Sequence, residues 1–286
     1  MIGRGGMGRQ VVAILGGRGM LGTDLAAACT RKGLDVRVYD LPEWDITNAG
    51  HRKQIIRSAD ILVNAAAYTN VDGAETDKQL AHRANAEAVG CLGELARGNR
   101  KWMLHFSTDF VFDGKLDRPY RETDMPHPIN EYGKSKLTGE RLLRESRCSY
   151  CIVRLQWTYG RHGNNFITRL LKRAQDQQVV KVVNDQVGSP TATAEVAKAV
   201  CDLLEKKTEG LFHFASAGFV SRYDIAAFVF NHLGRSIDLQ TCRTADLPAP
   251  AARPLNSRFD CGKIQPLLSE PIRPWQEPLE EFLKQL

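Results

Sequence analysis

Short apolar runs alternate with longer segments of helical periodicity along the first half of the chain. Val11–Leu15 is the first run, and its continuous, β-branched character is typical of a strand buried on both faces. The pattern predicts strands at 11–15, 35–39, 61–64, 102–106 and 150–155, and helices at 20–30, 48–57, 76–96 and 130–145. Strands that alternate with helices predict an α/β fold with a doubly wound parallel sheet.

The second half has a looser pattern. It predicts helices at 164–175, 193–206, 222–233 and from 276, with strands at 179–183 and 211–214. We therefore expect a doubly wound α/β domain over residues 10–156. A smaller α/β lobe is predicted over 157–286, with segments that return to the first domain. The glycine-rich residues 1–9 are predicted to be a disordered tail.

Composition excludes several classes of protein. The 286 residues are 43% hydrophobic and 25% charged, which is typical of a soluble globular protein. The net charge of +6 comes without a dense Lys/Arg block, so we expect an anionic small ligand and no nucleic acid. No apolar run approaches the roughly 20 residues of a membrane span, and no export signal is evident. The seven scattered cysteines indicate a reducing compartment, the cytoplasm, and no metal site.

A glycine loop follows the first predicted strand. Gly16 permits a tight turn, Gly19 lets the backbone approach a pyrophosphate, and Gly22 allows helix and strand to pack closely. The N-terminus of the following helix adds free N–H groups and positive dipole character. This strand, turn and helix predict a dinucleotide-binding site. Residues 10–156 are therefore expected to form a Rossmann-like dinucleotide-binding domain, and the lobe over 157–286 is expected to bind the substrate.

Asp40 ends the second predicted strand. A carboxylate at this point accepts hydrogen bonds from the adenosine ribose hydroxyls and repels a 2′-phosphate. The eleven residues that follow Asp40 contain no Arg or Lys. The sequence therefore favours NADH over NADPH. The alternative for Asp40 is a turn-forming residue before Pro42.

Tyr132 and Lys136 lie four residues apart on a predicted helix and therefore share one face. A phenol has an ordinary pKa near 10. An ammonium about 4 Å away at an effective dielectric of 20 favours phenolate by roughly 4 kcal/mol, which is up to about three pKa units. The pair predicts a proton donor tuned toward neutral pH. The alternative is two unrelated surface side chains.

Ser107, Thr108 and Asp109 follow directly after a buried strand, at the carboxyl end of the predicted sheet. Ligands bind at this edge in doubly wound sheets. A hydroxyl there can donate to a carbonyl oxygen as negative charge develops on it. Thr108 is the candidate polarising group, and a simple strand-end turn is the alternative.

Taken together, these motifs resemble the extended short-chain dehydrogenases/reductases. More narrowly, the chain is similar to the dTDP-4-dehydrorhamnose reductase family from about Gln10 to its C-terminus. The narrower resemblance is carried by the segments 64–72, 107–114, 132–136, 163–166, 184–191 and 253–257.

The resemblance implies reduction of the 4-keto group of a dTDP-4-keto-6-deoxyhexose, dTDP-4-dehydrorhamnose, by NADH or NADPH. It implies that Tyr132 protonates the alkoxide, Thr108 polarises the ketone and Lys136 holds the ribose. The remaining implied cofactor contacts are Gly19, Met20, Leu21, Asp40, Asp45, Ile46, Ala66 and Ala67. The implied substrate contacts are Thr69, Val71, Asp109, Trp157 (as a stacking surface) and Arg253 (at the diphosphate).

Four points stay open. Some members of the family bridge subunits through magnesium held by glutamates, but Asp24 and Glu195 do not match that set, and we predict no metal. Gln156 stands where relatives have a small hydroxyl residue before the tryptophan. The regulatory β subunit of methionine adenosyltransferase also resembles this family, so a cofactor-binding partner protein is the alternative function. The sequence leaves a homodimer open.

Overall fold

The computed structural model describes residues 10–286, and the predicted tail at 1–9 lies outside them. The strands are β1 (Val11–Leu15), β2 (Asp35–Tyr39), β3 (Ile61–Asn64), β4 (Trp102–Thr108), β5 (Ser149–Leu155), β6 (Thr158–Tyr159), β7 (Val179–Val183), β8 (Val187–Gly188), β9 (Thr191–Ala192), β10 (Gly210–Phe214), β11 (Val220–Ser221) and β12 (Asp238–Cys242). The helices are α1 (Met20–Arg31), α2 (Ala49–Ser58), α3 (Lys78–His82), α4 (Ala88–Gly98), α5 (Glu131–Glu145), α6 (Phe166–Asp176), α7 (Thr193–Lys206), α8 (Arg222–His232) and α9 (Gln276–Leu283).

Six parallel strands form the central sheet in the order β10-β5-β4-β3-β1-β2. The strand order reverses direction between β1 and β3, which is the switch point where a doubly wound sheet opens a crevice at its carboxyl edge. The fold class predicted from the alternation of strands and helices is confirmed. Gly210–Phe214 from the second half of the chain pairs with β5 and forms one edge of the sheet.

Side chains alternate between two cores along the strands of this sheet. In β1, Val12 and Ile14 pack toward α1 and α7, whereas Ala13 and Leu15 pack toward α2 and α4. Both layers are apolar because helices cover both faces of a parallel sheet. The sheet is thereby rigidly held, and its carboxyl edge positions the loops that follow β1, β2, β3, β4 and β5.

The second lobe has its own small core. Tyr159, Ile167, Val180 and Ile225 are buried there among residues of α6, α8 and α9. Two short parallel pairs, β12 with β7 and β6 with β9, and the antiparallel pair of β11 and β8 connect its loops. The strand at 238–242 was not predicted, because Asp-Leu-Gln-Thr-Cys is largely exposed and contains no continuous apolar run.

The helix predicted over 76–96 is observed from Lys78 to Gly98, but its α-helical hydrogen bonding is interrupted once. A π-helical turn at Arg83–Glu87 separates α3 from α4. The turn directs Asn85 inward, where its Oδ1 accepts from the backbone N–H of Tyr68 at 2.8 Å and its Nδ2 donates to Oγ of Ser135 at 3.0 Å. Such single π turns accumulate near functional sites, and this one ties the loop after β3 to α5.

Candidate active site

A cavity of about 780 Å³ opens along the carboxyl edge of the central sheet. This volume is within the usual range for small-molecule and cofactor sites. The cavity is lined by every residue predicted to contact a cofactor, namely Gly16, Gly19, Met20, Leu21, Gly22, Asp40, Asp45, Ile46, Ala66, Ala67, Tyr132 and Lys136. Of the residues predicted to contact substrate, it is lined by Thr69, Val71, Thr108, Asp109 and Trp157. Residues distant in sequence are thus brought to one cleft.

The glycine loop has the geometry of a phosphate cradle. Gly16 adopts a φ of 72°, and a Cβ there would lie 2.6 Å from the backbone nitrogen of Ala66. A Cβ on Gly19 would meet only the Gly16 carbonyl, at 3.3 Å. Gly19 is also the N-cap of α1 and provides no side-chain cap, so the first N–H groups of the helix are free for an anion. The loop therefore fits the pyrophosphate of a dinucleotide.

Asp40 lies at the same end of the cavity and is already hydrogen-bonded to the backbone. Its Oδ2 accepts from the N–H of Arg18 at 2.7 Å, and its Oδ1 accepts from the N–H of Leu41 at 2.8 Å. The guanidinium of Arg18 is directed over the same loop and donates to Oε2 of Glu43 at 2.6 Å. A carboxylate and a cation thus stand side by side where the sequence had suggested only the carboxylate.

Thr108 and Asp109 form a buried pair at the end of β4. The hydroxyl of Thr108 donates to Oδ1 of Asp109 at 3.0 Å, and Ser257 donates to Oδ2 of Asp109 at 2.6 Å. Burial raises the pKa of Asp109, and these two hydrogen bonds offset part of the shift. The proton of Thr108 is therefore directed to a neighbouring carboxyl, and a substrate carbonyl has to compete for it.

The phenol of Tyr132 faces this pair from α5. Burial raises the pKa of Tyr132 well above its ordinary value, the charge of Asp109 raises it further, and the hydroxyl of Thr108 offsets part of the shift. The sequence had predicted a pKa lowered by Lys136. That direction is wrong for the protein alone, because Lys136 bonds elsewhere and desolvation dominates. Tyr132 is consequently held as a protonated phenol, the form that can donate.

Lys136 is buried, with 3% of its surface exposed. Its Nζ donates to the carbonyl of Phe106 at 2.6 Å and lies 3.4 Å from Nε2 of His105. Burial lowers the pKa of Lys136 to about 8, and the carboxylate of Glu140 offsets part of the effect. Lys136 is thus positioned from beneath by β4, and it lines the cavity beside Tyr132.

Trp157 follows β5 and adopts a left-handed φ of 46°, which is strained for an aromatic residue. Its ring is not a free stacking surface. Cζ of Arg222 lies 3.6 Å from the ring centroid, and a Cβ on Gly188 would come within 2.8 Å of the ring. Oε1 of Gln156 accepts from the N–H of Ser189 at 3.0 Å and fixes the neighbouring loop. A sugar bound beside Trp157 would therefore contact the edge of its ring or the side chain of Arg222.

Arg253 is the one predicted site residue that does not line the cavity. Its Nη2 pairs with Oδ2 of Asp72 at 2.9 Å, and its Nη1 donates to the carbonyl of Ala251 at 2.7 Å. Its Cζ lies 5.8 Å from the ring centroid of Phe110, which does line the cavity. The guanidinium is therefore engaged outside the lining and gives no support to the predicted diphosphate contact.

Sequence reasoning missed four polar residues of the site. Arg18 lies inside the glycine loop, but a search for cations only after Asp40 passes over it. His105 belongs to an apolar run and is identifiable only from the register of β3 and β4, which pairs it with Asn64. Arg169 and Arg222 line the cavity from the second lobe, where no motif marked them.

A buried charge network supports the site from below. Glu140 accepts hydrogen bonds from Nε of Arg154 at 2.8 Å, from Nη2 of Arg154 at 2.7 Å and from Oγ of Ser107 at 2.5 Å. Nη1 of Arg154 lies 3.3 Å from Nε2 of His213, whose pKa is lowered by burial and by Arg154 to about 3. This bidentate pair joins α5 to β5 directly beneath Thr108.

Asp24 and Glu195, which the sequence analysis weighed as magnesium ligands, have other partners. Asp24 accepts from the hydroxyl of Thr193, and Glu195 pairs with Lys198 at 2.7 Å and with Arg273 at 3.4 Å. Within residues 10–286, no cluster of His, Cys, Asp and Glu is arranged to hold a metal ion. No helix in the same range is long and apolar enough to cross a lipid bilayer.

Comparisons with known proteins agree with this geometry. The family model described as RmlD substrate binding domain matches residues 10–286. A dTDP-4-dehydrorhamnose reductase of Aggregatibacter actinomycetemcomitans is 38% identical, with 94% of this chain and 97% of that protein covered.

Two solved structures are similar over almost the whole chain. A dTDP-4-dehydrorhamnose reductase from Clostridium acetobutylicum has a TM-score of 0.92 at 33% identity, covering 96% of this chain and 99% of the other. The enzyme of that name from Bacillus anthracis, solved in complex with NADP, has a TM-score of 0.93 at 31% identity, covering 98% and 100%.

Proposed function

The chain belongs to the dTDP-4-dehydrorhamnose reductase family, and we propose that it reduces the C4 ketone of a dTDP-4-keto-6-deoxyhexose, forming dTDP-rhamnose from dTDP-4-dehydrorhamnose. The observation that carries the proposal is the convergence of Thr108, Tyr132 and Lys136 on the cavity that also contains the glycine loop. Proton donor and dinucleotide cradle share one cleft, which is the requirement for reduction of a carbonyl.

A reduced nicotinamide dinucleotide supplies the hydride when it is bound. The protein's own task is to deliver a proton to the oxygen at C4. Tyr132 is suited to it, because burial and Asp109 keep its pKa high and its phenol protonated. The hydroxyl of Thr108 donates to the same oxygen once it leaves Asp109, and Lys136 holds the cofactor ribose.

The residues at the adenosine end fit either nicotinamide cofactor. Asp40 suits the unmodified ribose of NADH. Arg18 offers a guanidinium for the 2′-phosphate of NADPH if it leaves Glu43, with which it forms an exposed pair of small energetic weight. We propose that both cofactors bind and that Asp40 gives the preference to NADH. The cytoplasm is the proposed compartment, because the seven cysteines are all free thiols.

The decisive assay is oxidation of NADH or NADPH by the purified protein in the presence of dTDP-4-dehydrorhamnose, with the sugar product identified by NMR. We expect turnover by the wild type and a loss of about 100-fold to 10,000-fold in Tyr132→Phe, because that substitution removes the general acid. Tyr223→Phe is the matched control, since Tyr223 is half-buried in α8 and does not line the cavity.

Binding measurements separate the two functions that the sequence left open. If wild type and Tyr132→Phe both bind the cofactor but neither turns over the sugar, the reductase proposal fails and a cofactor-binding partner role is favoured. Turnover that is equal in the two proteins would also contradict it, because the phenol would then have no chemical role.

A further inference from the structure

Two arginines of the second lobe line the cavity beside Asp109 and Trp157. Arg169 is in the first turn of α6, and Arg222 begins α8. Cζ of Arg222 lies 3.6 Å from the ring centroid of Trp157 and 4.8 Å from that of Phe166. Stacking by its face leaves the in-plane N–H donors of a guanidinium available for a bidentate acceptor.

The charge of this pair is not matched by the protein. Within residues 10–286, the side chains of Arg169 and Arg222 make neither a salt bridge nor a hydrogen bond, whereas Arg253 nearby is paired with Asp72. Asp109 is the carboxyl that influences Arg222, and its oxygens already accept from Thr108 and Ser257. Burial lowers the pKa of Arg222 to about 9, and Arg169 contributes in the same direction. Two like charges that face a cavity are stabilised by a bound anion.

The position of the pair distinguishes it from the cofactor's phosphate site. The glycine loop follows β1, whereas Asp109 and Trp157 follow β4 and β5, two and three strands away in the sheet. At a strand spacing of about 4.8 Å, this separation is about 10 to 14 Å. Asp109 is near enough to both Arg222 and Tyr132 for its charge to act on each, and all three line the same cavity.

We infer that Arg222, assisted by Arg169, binds the diphosphate of the nucleotide-sugar substrate. This inference rests on the proposed function and names the residues that anchor its substrate. With the diphosphate held by Arg222, the attached sugar reaches past Asp109 toward Tyr132 and Thr108. Arg222 is thus a binding residue that orients the sugar, in the role that the sequence had suggested for Arg253.

Calorimetric titration with thymidine diphosphate in the presence of saturating NADP⁺ tests the inference without turnover. We expect Arg222→Gln to weaken the binding of thymidine diphosphate by about 10-fold to 100-fold, because hydrogen bonds to a charged partner are lost. Arg169→Gln is expected to weaken it by a smaller factor. Arg235→Gln, an exposed substitution beyond the end of α8, is the matched control and should bind as the wild type does.

Two further measurements identify the source of the diphosphate. In steady-state assays with the dTDP-sugar, Arg222→Gln should raise KM more than it lowers kcat, and its Kd for NADPH should match that of the wild type. A weakened Kd for NADPH with unchanged thymidine diphosphate binding would overturn the inference, because the arginine would then contact the cofactor. Equal binding of thymidine diphosphate by wild type and Arg222→Gln would overturn it as well.

The reductase function and the binding of the diphosphate by Arg222 can be contradicted independently. A wild type that reduces the sugar, together with an unaffected Arg222→Gln, contradicts the anchor and leaves the reductase standing. A wild type that binds thymidine diphosphate through Arg222 but oxidises no NADH or NADPH supports the anchor and contradicts the reductase.

Discussion

Nε2 of His105 lies 3.4 Å from Nζ of Lys136, beneath the floor of the cavity. On the other side of the ring, Nδ1 lies 3.1 Å from Nδ2 of Asn64. Oδ1 of Asn64 accepts from the N–H of Ala66 at 3.2 Å, which fixes the amide orientation. Nδ1 of His105 therefore accepts from the Asn64 amide and the ring hydrogen is on Nε2, where it can be donated to Nζ only when Lys136 is the neutral amine.

This arrangement of hydrogen bonds predicts the tautomer and the protonation state of His105. Burial lowers the pKa of His105 well below its ordinary value, and the charge of Lys136 adds to the effect. We expect ¹⁵N NMR of the folded protein above pH 8 to show a neutral imidazole with its hydrogen on Nε2, and the imidazolium to appear only well below the pH at which an ordinary histidine titrates. Detection of the Nδ1–H form would contradict the assignment.

The buried ammonium of Lys136 predicts a dependence of stability on pH. Burial lowers its pKa from 10.5 to about 8 in the folded protein. Between these values the unfolded chain binds more protons, so the free energy of unfolding should rise with pH by about 3 kcal/mol across the window. The contribution is present above the unfolded pKa and is lost as pH falls through the folded one.

Denaturant unfolding of the protein without cofactor, at pH values from 8 to 10.5, measures this rise. Lys136→Met removes the titrating group and should flatten the profile relative to the wild type. Lys53→Met, on the exposed face of α2, is the control and should keep the wild-type slope. Parallel profiles for the wild type and Lys136→Met would show that the pKa is not lowered.

Arg18 and Asp40 predict opposite effects on cofactor choice. Asp40→Asn keeps an acceptor for the N–H of Arg18 but removes the charge, so it should weaken NADH and improve NADPH relative to the wild type. Arg18→Ala should weaken NADPH by about 10-fold to 100-fold and leave NADH nearly unchanged. Fluorescence titration of each variant with NADH and with NADPH gives four dissociation constants, and each is compared with the wild-type value for the same cofactor. Equal losses for NADH and NADPH would mean that neither side chain contacts the ribose.

Local patterns predicted the first lobe well, because its signals are continuous in sequence. A β-branched run such as Val11–Leu15 can be buried on both faces only in a covered parallel sheet, so fold class followed from periodicity. The order of the motifs likewise placed Thr108 and Tyr132 at one edge of the sheet.

Local sequence patterns could not predict contacts between segments that are distant in sequence. Arg253 and Arg222 both lie near predicted loops in the sequence. Only the structure shows that Arg253 forms an ion pair with Asp72. The shift of the Tyr132 pKa had the wrong predicted sign for the same reason. Spacing on a helix gives proximity to Lys136, but not the burial or the Phe106 carbonyl that takes its hydrogen bond.

The buried pair of Glu140 and Arg154 predicts a large loss of stability when one partner is removed. Arg154→Met removes the bidentate partner of the Glu140 carboxylate and leaves only the longer contact with Arg144, at 3.6 Å, at a cost of about 3 to 5 kcal/mol. The double variant Glu140→Leu/Arg154→Met should recover part of this loss, since the buried carboxylate is removed together with its partner, whereas Lys136 loses the carboxylate that favours its charged form. Urea unfolding measures both. Arg121→Met, which breaks the exposed pair with Asp260, should cost at most about 1 kcal/mol.

Gly16 and Gly33 provide a matched test of the phosphate cradle. Both adopt left-handed backbone conformations, with φ of 72° and 80°. A Cβ on Gly16 would lie 2.6 Å from the backbone nitrogen of Ala66, whereas a Cβ on Gly33 would meet no atom within 4 Å. Both alanine variants therefore pay the left-handed strain of about 1 to 2 kcal/mol, but only Gly16→Ala displaces the backbone that lines the cavity.

We expect Gly33→Ala to lower the free energy of unfolding by that strain alone and to bind NADH as the wild type does. Gly16→Ala should lose more stability and weaken the binding of NADH at least about 10-fold, because the backbone of Ala66 must move away from the new Cβ and this distorts the cradle. Urea unfolding and NADH titration of the two variants make the comparison. If Gly16→Ala retained wild-type affinity for NADH, the close approach of the loop to Ala66 would have no part in holding the dinucleotide.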